Sequence, residues 1–173
     1  MPVAAGLTEP GPRDGNPKAD TPMPSLPRLI AFDADDLAVI AANLQDALVR
    51  VGDMAYLPRS KQFAMVTSRF DWIDAARDSC GCERSRTGIH FGRVLKVSCR
   101  GFCHRDEELV LNLLDIAFEE TAPPAGFVEF IFSAGRALRL EVECLEAEIR
   151  DLGLRWKARA TPRHTFGIRW GKA

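Results

Sequence analysis

Residues 137–153 read ALRLEVECLEAEIRDLG, and two periodicities meet in them. Leu138, Leu140, Val142 and Cys144 alternate with Arg139, Glu141 and Glu143, as in a strand with one buried face. From Leu145 onward the spacing changes. Leu145, Ile149 and Leu152 recur at helical intervals, and Gly153 follows as a stop. The stretch therefore predicts a strand that hands over to a C-terminal helix, and that decides the fold class.

Upstream, GFVEFIF (126–132) alternates as well and pairs with residues 137–144 around SAGR. APPAG (122–126) breaks the chain before it, and LVLNLLDIAFE (109–119) makes another strand. TGIHFGRVLKVSC (87–99) reads as one long strand. Ile89, Phe91, Leu95, Val97 and Cys99 share its core face, His90, Gly92, Lys96 and Ser98 the other, with Val94 out of phase. Residues 71–86 are polar and read as a loop. VRVGDMAYL (49–57) and KQFAMVTSRF (61–70) flank a Pro-Ser turn and form a first hairpin. Before it, Asp33 caps a helix over about 34–46, with Leu37, Ile40, Ala41 and Leu44 on its apolar stripe.

The expected fold is α+β: a mostly antiparallel, curved sheet of about six strands with an N-terminal and a C-terminal helix over its apolar side. A pleckstrin-homology-like barrel is one such arrangement, by analogy only. Three segments follow. Residues 1–27 hold seven of the 11 prolines and are expected to be disordered. Residues 28–153 form a single domain. Residues 154–173 form a basic, aromatic tail.

The net charge of −1 hides this division. Residues 28–151 carry 15 Lys/Arg against 21 Asp/Glu, a net −6, whereas residues 152–173 carry +6 with no acid. No apolar run reaches the ~18 residues of a membrane helix, and the N-terminus lacks a signal-peptide pattern. The expectation is a cytoplasmic protein with reduced thiols and no membrane contact.

The blocks LAVIAANLQDA, GDMAYLP, RFDW, GIHFGRVLKV, LNLLDIAF, PPAGFVEFIF and LRLEVECLEA with IRDL resemble, as a set, the bacterial family catalogued as Domain of Unknown Function 2948. The resemblance spans roughly 28–155. It implies a small single-domain cytosolic protein and carries over no activity, cofactor or catalytic residue. It also implies that Cys144 belongs to the family pattern and that the cysteines between 80 and 103 do not.

Those cysteines raise a zinc question. Cys80 and Cys82 form C-x-C, and Cys99 and Cys103 form C-x3-C followed by His104. Structural zinc prefers four ligands from tighter C-x2-C knuckles. With Cys99 turned into the core, the remaining set is Cys80, Cys82, Cys103 and His104, which requires two loops to meet. The favoured reading is incidental thiols and no metal.

No nucleophile elbow or phosphate loop occurs, so no residue is given a catalytic role and no cofactor is expected. Asp53, Tyr56, Arg69, Asp71 and Trp72 gather at the ends of the first hairpin and are candidate pocket residues. The plainer reading is an Arg–Asp pair beside packed aromatics. In the tail, Arg155, Trp156, Arg159, Arg163, Phe166, Arg169 and Trp170 combine cations with aromatics and are candidate partner contacts. The expected function is a non-enzymatic binding or accessory module acting through protein–protein contact. The alternatives are an RNA-associated factor using the tail and an enzyme with its site near the first hairpin.

Overall fold

In the computed structural model, residues 28–70 and 83–157 are described. They form β1 (Leu29–Ala31), α1 (Ala34–Leu44), β2 (Leu48–Leu57), β3 (Gln62–Phe70), β4 (Glu83–Phe91), β5 (Val94–Arg100), β6 (Val110–Ala122), β7 (Ala125–Phe132), β8 (Arg136–Val142) and β9 (Ala147–Lys157). The strands make one sheet in the order β1-β9-β4-β3-β2-β6-β7-β8-β5, with every pairing antiparallel.

The fold is mostly β, not the expected α+β arrangement with helices at both ends. The helix expected over 145–153 does not form. Residues 147–157 are a strand that enters the sheet between β1 and β4. Period two continues here: Ala147, Ile149 and the Asp151 side chain are buried, while Arg150 is exposed. The helical spacing arises from the strand's ends. Leu145 is buried at the corner before β9. Past Asp151 the register against β4 shifts, and Gly153 has φ +80°. Leu152 is exposed on the outer face in phase with Glu148 and Arg150, so its i+3 spacing from the buried Ile149 only imitates a helix. Without that helix, a sheet capped by a C-terminal helix, as in pleckstrin-homology-like barrels, does not apply.

Two further corrections come from one event. The segment expected as a single strand over 87–99 bends at Gly92–Arg93, where Arg93 takes φ 58°. It divides into β4, in the middle of the sheet, and β5, at its edge. The register of β5 slips between Val94 and Lys96, so Val94 is buried and Leu95 exposed. Val97 and Cys99 keep the expected face, opposite the core residues Leu140 and Leu138, with Cys99 left exposed at the sheet edge. Residues 83–86, expected as loop, open β4.

The bend curls the sheet on itself. Glu143 N donates to Arg93 O, Gly92 N to Glu146 O, and Val94 N to Lys61 O in the β2–β3 turn. Tyr56 Oη donates to Leu95 O at 2.7 Å, tying β2 to the β5 edge. The inner faces of the two halves then meet. Phe91 stands edge-on to Phe130 at 5.5 Å, and Phe63 lies 6.2 Å from Phe130. Burying each such ring removes enough apolar surface to contribute about 2–3 kcal/mol. α1 closes the core with Leu37, Ile40, Ala41 and Leu44. Its start is as expected: Asp33 accepts from Asp36 N at 2.8 Å. No helix among the described residues is long and apolar enough to cross a membrane.

Candidate functional site

The outer face of β2, β3, β4 and β9 collects side chains that sequence order keeps apart. One register row runs Ala55, Ala64, His90, Glu148, Ile30. The next runs Val66, Gly88, Arg150, and a third joins Leu48, Ser68 and Arg86. Small residues in the middle and long ones at the margins leave a groove of about 730 Å³. Ala55, Ala64, Val66 and Gly88 contribute to its floor, and Arg28, Asp53, His90, Glu148, Arg150 and Leu152 to its walls. Gly88 makes room for Leu152: a Cβ there would stand 3.3 Å from Leu152 Cδ2, which would have to shift slightly.

The walls are charged and biased. Arg28 grips Glu148 through two 2.7 Å bonds, one from Nε and one from Nη2. That hydrogen-bonded pairing holds the Glu148 carboxyl below the usual range. Asp53 serves Arg50 at 3.0 Å and Arg86 at 3.6 Å. Arg150 makes no hydrogen bond or ion pair among the described residues and reaches Glu148 only through its field. Farther along the same face Arg84 donates to Ser68 O and lies over the Phe70 ring, next to an exposed Trp156. Partial burial lowers the Arg84 guanidinium from its ordinary value. Arg28, Arg50, Arg84, Arg86 and Arg150 thus share one face, opposed by Asp53 and Glu148, by Glu108 at 3.3 Å from Arg50, and by the field of Asp46 on Arg84.

The candidate pocket at the first hairpin does not assemble on one surface. Asp53 belongs to the outer groove. Tyr56 turns to the inner side and spends its hydroxyl on Leu95 O. Arg69 is inside. Its side chain and that of Asp151 are each only 3% exposed, with Nη2 at 3.0 Å from Oδ2. Ser85 Oγ accepts from Arg69, and Thr87 Oγ1 donates to Asp151 at 2.6 Å. This is a buried polar end to the core, built by β3, β4 and β9. Asp71 and Trp72 lie outside the described residues.

Of the zinc set, Cys80 and Cys82 lie outside the described residues. Cys103 and His104 sit on the exposed loop after β5. Among the described residues no three His, Cys, Asp or Glu side chains are grouped to hold a metal. Partial burial, and second the nearby Cys103, raise the Cys99 thiol above the ordinary value. Of the tail candidates, Arg155 is partly buried near Asp151 and Glu83, at 3.8 and 3.9 Å, and Trp156 is 42% exposed on β9. Arg159, Arg163, Phe166, Arg169 and Trp170 lie outside the described residues.

Sequence reasoning missed Arg28, Arg86, His90, Glu148 and Arg150. A signal existed for part of this: Arg84, Arg86, Gly88 and His90 alternate with Ser85, Thr87, Ile89 and Phe91, the period of a half-buried strand.

Comparison with curated proteins and with solved structures gives no match. A family model does match, over residues 27–164, which is most of the chain and includes both the groove and the buried Arg69–Asp151 pair. The chain belongs to the family described as Protein of unknown function (DUF2948).

Proposed function

We propose that the domain is a non-enzymatic binding module that works by protein–protein contact, with the outer face of β2, β3, β4 and β9 as its contact surface. One observation carries this reading. Five arginines share one face with an apolar groove, which Arg28 and Arg150 line, on a body whose residues 28–151 sum to −6. Arginine with buried apolar area is the composition of interface anchors. A cytoplasmic setting fits the free thiols of Cys99, Cys103 and Cys144.

Site-directed photo-crosslinking in the native host tests the reading. A benzophenone amino acid replaces Val66 on the groove floor or, as a control, Val39 on the exposed side of α1. The expected result is a discrete protein adduct from position 66 and none from 39. Adducts from 39 alone, or from neither, refute it.

The RNA reading keeps one observation in its favour, the exposed Trp156 beside Arg84 on the same face. It predicts an adduct at 66 that ribonuclease abolishes and an affinity that falls steeply with salt. Removing the tail must respect β9, which runs to Lys157. A chain ending at Gly153 would lose part of a strand.

A further inference from the structure

The groove's chemistry narrows what it would hold. We propose that the partner offers an extended segment whose acidic side chains alternate with apolar ones. This rests on the outer face being the contact surface and adds the nature of what docks there.

Three features lead to it. The first is charge. Arg28 and Arg150 line the groove and Arg86 stands next to its Asp53; Arg28 is held by Glu148, Arg50 has Glu108 besides Asp53, Arg86 has only its 3.6 Å share of Asp53, and Arg150 has no ion-pair partner among the described residues. A guanidinium matches a carboxylate through two parallel hydrogen bonds, so arginines left short of acids select carboxylates. The second is the floor. Ala55, Ala64, Val66 and Gly88 present small apolar surface, with Leu152 as a wall. Such a floor accepts aliphatic or aromatic side chains. It carries no ring itself, the His90 imidazole standing in the wall and Trp156 farther along the face, which favours a peptide over a stacked single-stranded nucleic acid. The third is length. The groove crosses β2, β3, β4 and β9 and reaches Arg28 just before β1. Four inter-strand gaps of ~4.8 Å give about 19 Å, the reach of about six extended residues. In an extended segment alternate side chains point opposite ways, so one set can enter the floor while the other meets the arginines.

The test titrates the uniformly 15N-labelled full chain and follows its amide resonances. Three probes are used: the capped hexapeptide Glu-Leu-Glu-Phe-Glu-Leu, the same peptide with lysine for each glutamate, and an eight-nucleotide oligo-dT. The expected result is that the acidic peptide moves the amides of Ala55, Ala64, Val66, Gly88 and Arg150. The lysine peptide should not. Arg150→Glu, an exposed change that leaves the core untouched, should weaken the acidic peptide at least about five-fold, the effect of exchanging one surface ion pair for a like charge. Equal or stronger binding of the lysine peptide overturns the proposal while leaving the face a contact surface. Binding of oligo-dT alone overturns it in favour of nucleic acid. Shifts of the same amides with protein concentration, and no probe present, overturn it in favour of a second copy. If no probe moves this face the proposal fails, and the cross-link from Val66 then decides separately whether the contact surface itself survives.

Discussion

Replacing Asp151 by leucine should be among the most costly single changes in this protein. Asp151 and Arg69 are each 3% exposed and meet at 3.0 Å. Removing the carboxylate takes a buried counter-charge from the Arg69 guanidinium, takes the 3.8 Å contact from Arg155, and leaves the Thr87 hydroxyl without its 2.6 Å acceptor. Breaking a buried ion pair from one side costs about 3–5 kcal/mol. For a domain of this size that is a fall in Tm of roughly 10–20 °C. Deleting both charges should cost far less, because desolvation offsets most of what such a pair gains. Arg69→Met with Asp151→Leu and Thr87→Val, which also removes the stranded hydroxyl, should therefore lie within ~2 kcal/mol of the parent. Far-UV circular dichroism, followed through heat and urea unfolding, measures both variants. The sign also separates two folds. In a helix ending at Gly153, Asp151 would stand in the last turn, where negative charge opposes the dipole and its removal is neutral or stabilising. A cost below about 1 kcal/mol for Asp151→Leu, or a triple variant worse than the single, would refute the strand and the pair together.

Other outcomes follow from the same coordinates. Gly126→Ala should lose about 3 kcal/mol or more in urea unfolding, since a Cβ would sit 2.4 Å from Glu119 O and 2.7 Å from the Phe118 ring; a loss under 1 kcal/mol contradicts that packing. Asp33→Ala removes the cap on Asp36 N and should cost about 1 kcal/mol by the same assay. Arg28 holds the Glu148 carboxyl below its unfolded value, so the pair's contribution is present above the usual carboxylate pKa and is lost as pH falls through the lowered one. Tm measured from pH 7 down to pH 3 should accordingly fall less in Glu148→Gln than in the parent, and identical profiles would show that the exposed pair contributes nothing. Cys99 should alkylate with an apparent pKa above that of a free thiol, reported by iodoacetamide rates against pH with peptide mass mapping.

How much of this could be read in advance depends on where the information sits. The hairpins β2–β3 and β7–β8 were legible because each strand alternates and each turn carries Pro, Ser or Gly between the runs. α1 was legible from Asp33 and its four-residue apolar stripe. β9 was not, because Leu152, an apolar residue on the outer face with Glu148 and Arg150, falls at helical spacing from Leu145 and Ile149, which are buried. The split of 87–99 was not, because alternation continues across Gly92 while the strand changes partners from β3 and β9 to β8. The arginine face was the least legible. Arg28 and Glu148 are 120 positions apart, and only the register of β1, β9 and β4 makes them neighbours. Arg69 was identified as a pocket residue from its place at a hairpin end. Its partner across the core lay in the segment expected to be helical.

The place of β9 bears on synthesis. The last described strand slots between the first and the fourth, so Leu29 meets Ile149 only after the 119 residues between them have been made. A nascent chain that stops short of residue 147 holds β1 and β4 with bare edges, which invite pairing with other chains. It also lacks Glu148 and Arg150, hence one wall of the groove. Unfinished copies would then be both conspicuous to proteases and unable to compete for whatever the finished face binds. Synthesis of residues 147–157 and closure of the groove are, by topology, the same event.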